Sequence, residues 1–221
     1  MKRVVEPELM NDVQQALAYA SANFEEPHSR YVQSFKEIYP DITGKKRVLD
    51  LGCGPGDITI RFAAVYPDFI FYAVDGSPAM LKYAKIALDK SPDPIKERIF
   101  FIEGYIPEVD LPHANYDIIM ATSFLHQLHN PQVLWQTIQK YSQKGTIVFI
   151  TDLYRPRSMR EAKEIVNKYS GSEPEILKRD FYNSLLAAFT IREVQSQLKE
   201  PKFNLSVKAI TDRHLLITGI I

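Results

Sequence analysis

The chain has one cysteine among its 221 residues, Cys53. No intrachain disulfide is possible, and a cysteine-rich metal site is excluded. It also has no surplus of charge: Lys plus Arg and Asp plus Glu both total 27. A formal net charge of zero removes any general electrostatic drive toward nucleic acid or anionic membrane. No run approaches the roughly 18 apolar residues of a membrane-spanning helix. Residues 1–7 lack the apolar stretch of a signal peptide. Internal repeats and low-complexity tracts are missing too. The expectation is a cytoplasmic protein, monomer or homodimer, with no nucleic-acid or membrane partner and no metal.

The composition is that of an ordinary globular protein, 45% hydrophobic and 24% charged. Its length builds one sizeable core, hence a single domain over residues 1–221. Everything is organised around D-L-G-C-G-P-G-D at residues 50–57. A short β-like run leads into Gly52, Gly54 and Gly56, and an apolar periodic stretch follows through Ile58, Ile60, Phe62 and Ala63. Strand, glycine turn, helix opens a nucleotide-binding βαβ unit. Glycine serves there because a turn position needs positive φ or because a Cβ blocks close approach to the backbone. The next apolar run, 69–74, reads as a buried parallel strand and ends in Asp75, 21 residues beyond Gly54. That spacing suits an acid that accepts from both hydroxyls of a ribose.

Further strands are expected at 98–102, 116–121, 146–151, 204–210 and 214–220, the last two joined by a short turn. Helices are expected at 78–88, after Asn130-Pro131, and at 191–198. Residues 8–40 read as helical, with Asp12 as a cap, Val13, Leu17 and Ala18 on one face, and Tyr31, Phe35 and Ile38 on a second helix after Pro27. Residues 153–190 read as a polar helical insertion, longer than one crossover helix needs. The alternation predicts an α/β fold with helices on both faces of a parallel sheet. Ligands then bind beyond the carboxyl ends of the parallel strands.

The glycine turn with Asp50 ahead of it, together with Asp75, resembles the first two motifs of the class I S-adenosylmethionine (SAM) methyltransferases. The resemblance covers about residues 40–221. It implies a Rossmann-like seven-stranded sheet in the order 3-2-1-4-5-7-6 with strand 7 antiparallel, and SAM as cofactor, leaving as S-adenosylhomocysteine. It implies cofactor contacts from Asp50, Gly52, Cys53, Gly54, Gly56, Asp75 and Gly76. Adenine is expected near Tyr105 and Ile106, where Tyr105 stands in place of the family's common acid. The stretch Y-D-I-I-M…S-F-L-H-Q-L-H-N-P resembles the fourth motif, so Thr122 is expected to line the cofactor. By the same resemblance, residues 1–40 are a helical lid and 153–190 shape the acceptor pocket.

Methyl transfer to a hydroxyl calls for a base, and imidazole suits that task near neutrality. His126, His129 and His214 are the candidates at the expected face. Tyr19, as part of the lid, and Tyr154, Arg155, Tyr182 and Arg213 are candidates to orient the acceptor. The chain carries no N-P-P-Y or D-P-P-Y segment and no Pro-Cys nucleophile. A small-molecule acceptor, O- or N-linked, is favoured by elimination. Two other readings stay open: a SAM- or nucleotide-binding regulatory module without catalysis, and an NAD-dependent oxidoreductase, which the G-x-G-x-G spacing disfavours.

Overall fold

The computed structural model describes residues 1–7 and 9–221. Its strands are β1 (Lys46–Leu51), β2 (Phe69–Asp75), β3 (Ile99–Glu103), β4 (Ile118–Thr122), β5 (Ile147–Leu153), β6 (Ser206–Ala209) and β7 (His214–Ile220). They form one sheet in the order β3-β2-β1-β4-β5-β7-β6, as the resemblance implied. The first five run parallel, while β7 is antiparallel to both β5 and β6.

Strand alternation divides the core between two faces. Leu49 and Leu51 of β1 and Ile119 and Ala121 of β4 point into one apolar layer with Trp135, Ile138 and Tyr141. Val48, Ile118 and Met120 point the other way, onto Phe35, Phe62, Phe71 and Phe149. Buried on both sides, these strands read as unbroken apolar runs, which is why the sequence exposes them so clearly. The helices covering the faces are α1 (Val13–Ser21), α2 (Glu25–Ile38), α3 (Asp57–Val65), α4 (Pro78–Asp89), the short α5 (Asp93–Lys96), α6 (Gln132–Tyr141), α7 (Met159–Ser170), α8 (Glu175–Ala187) and α9 (Ile191–Gln197). Among the described residues no helix is long and apolar enough to cross a membrane.

The N-terminal region departs from the expected helical run. Helix starts only at Val13, with Asp12 accepting from Gln15 N as the cap. The described residues ahead of it form a non-helical strap across the carboxyl end of the sheet. Val4 N donates to Leu186 O at 3.0 Å, and the Arg3 guanidinium donates to the carbonyls of His126 and Leu128 at 2.8 and 2.9 Å. Ser77 Oγ donates to Met10 O at 2.8 Å. The apolar face read for α1 is also turned outward: Val13 and Leu17 are 64% and 49% exposed, and Ala16 is the buried residue. Gln15 Nε2 reaching Asp180 Oδ2 on α8 at 2.9 Å sets that rotation, a contact that helical periodicity does not encode. α2 begins at Glu25, ahead of Pro27, and buries Tyr31 and Phe35 as expected.

The segment 153–190 carries two helices, α7 and α8, while Leu153 ends β5 and Tyr154 and Phe189 form an isolated bridge. α7 and α8 pack on each other around Ala162, Ile165, Val166, Leu185 and Leu186. Ser158 caps α7 by accepting from Glu161 N.

Candidate active site

The glycine turn hangs from the end of β2. Gly52 N and Cys53 N both donate to Val74 O, at 2.8 and 3.0 Å. One residue on, Asp75 Oδ2 accepts from Gly54 N at 2.7 Å and Oδ1 from Ser77 N at 2.8 Å. The carboxylate therefore clamps the turn to the start of α4, and each oxygen keeps a lone pair for a ligand. Burial pushes the Asp75 carboxyl up, against the pull of those two amides. Asp50 is buried in the floor and accepts from Thr59 Oγ1 at 2.6 Å. Burial pushes its carboxyl up to about 7, with Thr59 opposing and Asp75 adding to the rise.

Beyond the turn lies a narrow cleft of about 80 Å³. Leu9 and Met10 of the strap, Tyr19 of α1 and His28 of α2 form its upper wall. Thr122, Ser123, Phe124 and Gln127 close its far side. Ser123 holds a positive φ of 51°, the kind of backbone strain that collects at functional loops. Tyr19 begins a row of rings: Tyr19 to Phe24 at 4.9 Å, Phe24 to His28 at 5.0 Å, His28 to Tyr31 at 6.0 Å and Tyr31 to His214 at 5.7 Å between centroids. The Tyr19 hydroxyl is pushed up to about 12 by burial, reinforced by the charges of Asp57, Asp152 and Asp75.

Of the residues singled out in the sequence, Asp50, Gly52, Cys53, Gly54, Asp75, Gly76, Thr122 and Tyr19 line this cleft. The others lie elsewhere. Gly56 caps α3 at φ +76°, and a Cβ there would sit 2.7 Å from the Phe101 ring. Burial pushes the Cys53 thiol well up, so it is no nucleophile. Tyr105, 53% exposed, lays its ring beside Leu9 over Gly76 at the cleft's edge. Ile106 packs into the core layer with Trp135.

None of the three candidate histidines lines the cleft. His126, in the 3-10 turn Leu125–Gln127, is buried with Nδ1 at 2.6 Å from Asp152 and Nε2 at 3.4 Å from Glu6. His129 is exposed past the end of that turn, and its Nε2 contacts Glu6 O at 2.7 Å. Both rings meet Glu6 of the strap, His126 at its carboxylate and His129 at its carbonyl. His214 is buried beside Thr211, and burial together with Arg213 pushes it down to about 3.

The acceptor candidates are also engaged elsewhere. Arg155 is buried and donates to Ala188 O at 2.9 Å and Glu193 at 2.6 Å. Arg213 lies 3.3 Å from the centroid of Tyr169 and pairs with Asp212. Tyr154 reaches Thr211 O, and Tyr182 packs between α7 and α8.

Sequence reasoning missed the cleft residues that come from far along the chain. His28, one of several aromatics at helical spacing in residues 8–40, pairs with Asp57 at 2.6 Å across 29 residues. Asp57 directly follows Gly56 of the motif, the one local signal that pointed here. Ser123 and Gln127 lie within the fourth-motif stretch, whereas Leu9, Met10 and Ser77 carried no such signal.

A family model described as "Methyltransferase domain" matches residues 42–202. Among curated proteins, malonyl-[acyl-carrier protein] O-methyltransferase of Bacillus cereus is 31% identical over 134 residues, 60% of this chain and 46% of that protein. An uncharacterized methyltransferase of Schizosaccharomyces pombe is 31% identical over 105 residues, 46% of this chain and 38% of that one. The chain thus spans less than half the length of these relatives. Among solved structures, a SAM-dependent methyltransferase from Aquifex aeolicus superposes with a TM-score of 0.69 at 15% identity, covering 95% of this chain and 98% of that one. The plantazolicin methyltransferase in complex with S-adenosylhomocysteine gives 0.67 at 17% identity, covering 93% and 90%.

Proposed function

We propose that this chain, which belongs to the methyltransferase-domain family, transfers the methyl group of SAM to an oxygen or nitrogen of a small-molecule acceptor. The observation that carries this reading is the Asp75 clamp. An acid fixed by Gly54 N and Ser77 N presents both oxygens at the mouth of the cleft, suited to a ribose diol. The rest of the cleft fits the same cofactor. Gly54 has nothing within 4 Å of where a Cβ would stand, so its backbone is open to a ligand. Asp50 is a buried carboxyl group that accepts from the Thr59 hydroxyl, so an ammonium group is the counter-charge it calls for when ionised.

SAM supplies a methyl group already activated by a sulfonium. The chain's task is to hold acceptor and methyl in line and, where the acceptor needs it, to remove a proton. Calorimetry with SAM, S-adenosylhomocysteine and NAD is expected to show binding of the first two and none of the third. Labelled SAM incubated with a metabolite panel should then transfer label. Binding without transfer to any acceptor would turn the reading toward a regulatory module, and NAD binding toward an oxidoreductase.

Two expectations follow from the carboxylates. Asp75→Ala removes hydrogen bonds to the ribose and should weaken SAM by about 1.5–3 kcal/mol. That is roughly 10- to 150-fold in dissociation constant by calorimetry. Unchanged affinity in the folded variant defeats the ribose assignment.

Asp50 binds an ammonium only when ionised. Its carboxyl stands at about 7 before ligand arrives, so below that pH binding must expel a proton. SAM affinity should fall by about tenfold per pH unit on the acid side of 7 and level off above it. Calorimetry at pH 6 in two buffers of different ionisation enthalpy should read this proton release, and Asp50→Asn should remove it. A flat affinity profile from pH 5.5 to 8 rules out the pairing.

A further inference from the structure

One histidine lines the cleft among the described residues, and its two ring nitrogens are not equivalent. His28 Nδ1 stands 2.6 Å from Asp57 Oδ2, and that oxygen also accepts from Arg61 Nε at 2.8 Å. Arg61 is held in turn by Glu25, through Nη1 at 2.9 Å and Nη2 at 2.7 Å. Burial alone would raise the Asp57 carboxyl, but the hydrogen bonds from His28 and Arg61 hold it below its ordinary value. An ionised carboxylate only accepts, so the neutral imidazole must carry its proton on Nδ1 and keep its lone pair on Nε2. Phe24 and Tyr31 stack against the ring from either side and fix its plane. A buried base oriented through its far nitrogen by a half-exposed acid has the geometry needed to take a proton.

The charge of the cleft limits what delivers that proton. Its described lining carries the carboxylates Asp50, Asp57 and Asp75 and no lysine or arginine. The arginines that would suit an anion are committed: Arg3 to main-chain carbonyls, Arg155 to Glu193, Arg213 to Tyr169 and Asp212. With SAM in place its sulfonium and ammonium offset part of that charge, yet a carboxylate or phosphate on the acceptor would still find no lysine or arginine of the described lining to pair with, an arrangement that disfavours it. Tyr19, His28 and Phe124 offer ring faces and edges to an apolar body.

Resting on the methyl transfer proposed above, we infer that the acceptor is an uncharged hydroxyl compound with an aromatic body, and that His28 takes its proton. As the acceptor oxygen forms its bond to the methyl carbon, its proton passes to His28 Nε2. The carbon–sulfur bond breaks with its electron pair going to sulfur, which turns from sulfonium to neutral thioether. The proton then leaves His28 for solvent. Asp57 acts as a positioning residue that holds the tautomer.

The test uses the full chain, labelled SAM, and a panel of uncharged phenols headed by 4-methylphenol, each matched with the benzoate on the same ring. Label is expected in phenol ethers and not in benzoate esters. Label in the benzoates, or in neither set while SAM still binds by calorimetry, overturns the acceptor class. Failure to bind SAM at all would instead sink the methyl-transfer reading beneath it.

Nitrogen NMR of the His28 imidazole in the wild-type protein should show the Nδ1-protonated tautomer, shifted in Asp57→Asn. His28→Ala should keep SAM affinity and lose about 10²–10⁴-fold in turnover, with partial rescue by free imidazole. An Nε2-protonated ring, or full turnover in His28→Ala, overturns the base. Should His28→Ala fail to fold, the tautomer measurement and the turnover of Asp57→Asn decide the matter.

Discussion

Gly54→Val is expected to give a folded protein that no longer binds SAM, whereas Gly52→Val is expected to damage the fold itself. Both residues sit at positive φ, +54° and +72°, and a side chain there costs about 1–2 kcal/mol in backbone strain. What surrounds the missing Cβ separates them. At Gly54 nothing stands within 4 Å, so the valine projects into the space where the cofactor must approach the backbone. At Gly52 the Cβ would fall on the Phe124 ring, which packs directly against the glycine. Overpacking of that kind adds about 1–3 kcal/mol. Together the terms reach about 2–5 kcal/mol, a large share of the roughly 5–15 kcal/mol that holds a domain folded. Thermal melts and calorimetry on the two variants read both effects. A Gly54→Val protein with wild-type SAM affinity would mean that the turn does not face the ligand.

The contrast also shows what the motif does and does not say. Three glycines spaced two apart announce a tight turn after a strand, and the turn is there. The sequence does not say which glycine is small for the ligand and which for a neighbouring ring, since Phe124 and Phe101 arrive from distant parts of the chain. The same division runs through the whole fold. β2 and β4 were legible because burial on both faces leaves a continuous apolar run, and the β6–β7 hairpin because its turn is short. The strap before Val13 was not legible, because main-chain and polar contacts hold it to residues more than a hundred positions away, as from Arg3 to His126 and Leu128. Local periodicity misled at α1, where Val13 and Leu17 keep helical spacing yet face outward. His28 looked like one more aromatic on an amphipathic helix. Only its distance to Asp57, fixed by the packing of α2 on α3, distinguishes it.

Asp152→Ala is expected to destabilise the protein by about 3–5 kcal/mol, the usual result of removing one partner from a buried ion pair. Asp152 is 1% exposed at the end of β5, and its carboxylate gathers the loop after β4. It accepts from Phe124 N at 3.0 Å, His126 N at 3.3 Å and His126 Nδ1 at 2.6 Å. Alanine would leave those donors unsatisfied in the interior and loosen Ser123 and Phe124, which wall the cleft, so SAM affinity should fall as well.

The pH dependence separates this role from simple packing. Burial would lower the His126 imidazole, but the charges of Asp152 and Glu6 raise it above its ordinary value. A raised histidine gives stability that is complete below about 6.5 and is lost as pH rises through its folded value. Glu6 works in the same direction: burial raises its carboxyl, against His126 and Ser184, so the folded state again holds the extra proton. The stability owed to these two groups should therefore decline from mildly acidic toward alkaline pH, with His214 pulling the other way only below about 6.5. In Asp152→Ala the part of that slope owed to His126 should shrink, because its main stabilising charge is gone. Urea melts from pH 5 to 9 measure both the loss and the slope. A variant within 1 kcal/mol of wild type, with the slope unchanged, would mean that the His126–Asp152 pair does not hold the loop.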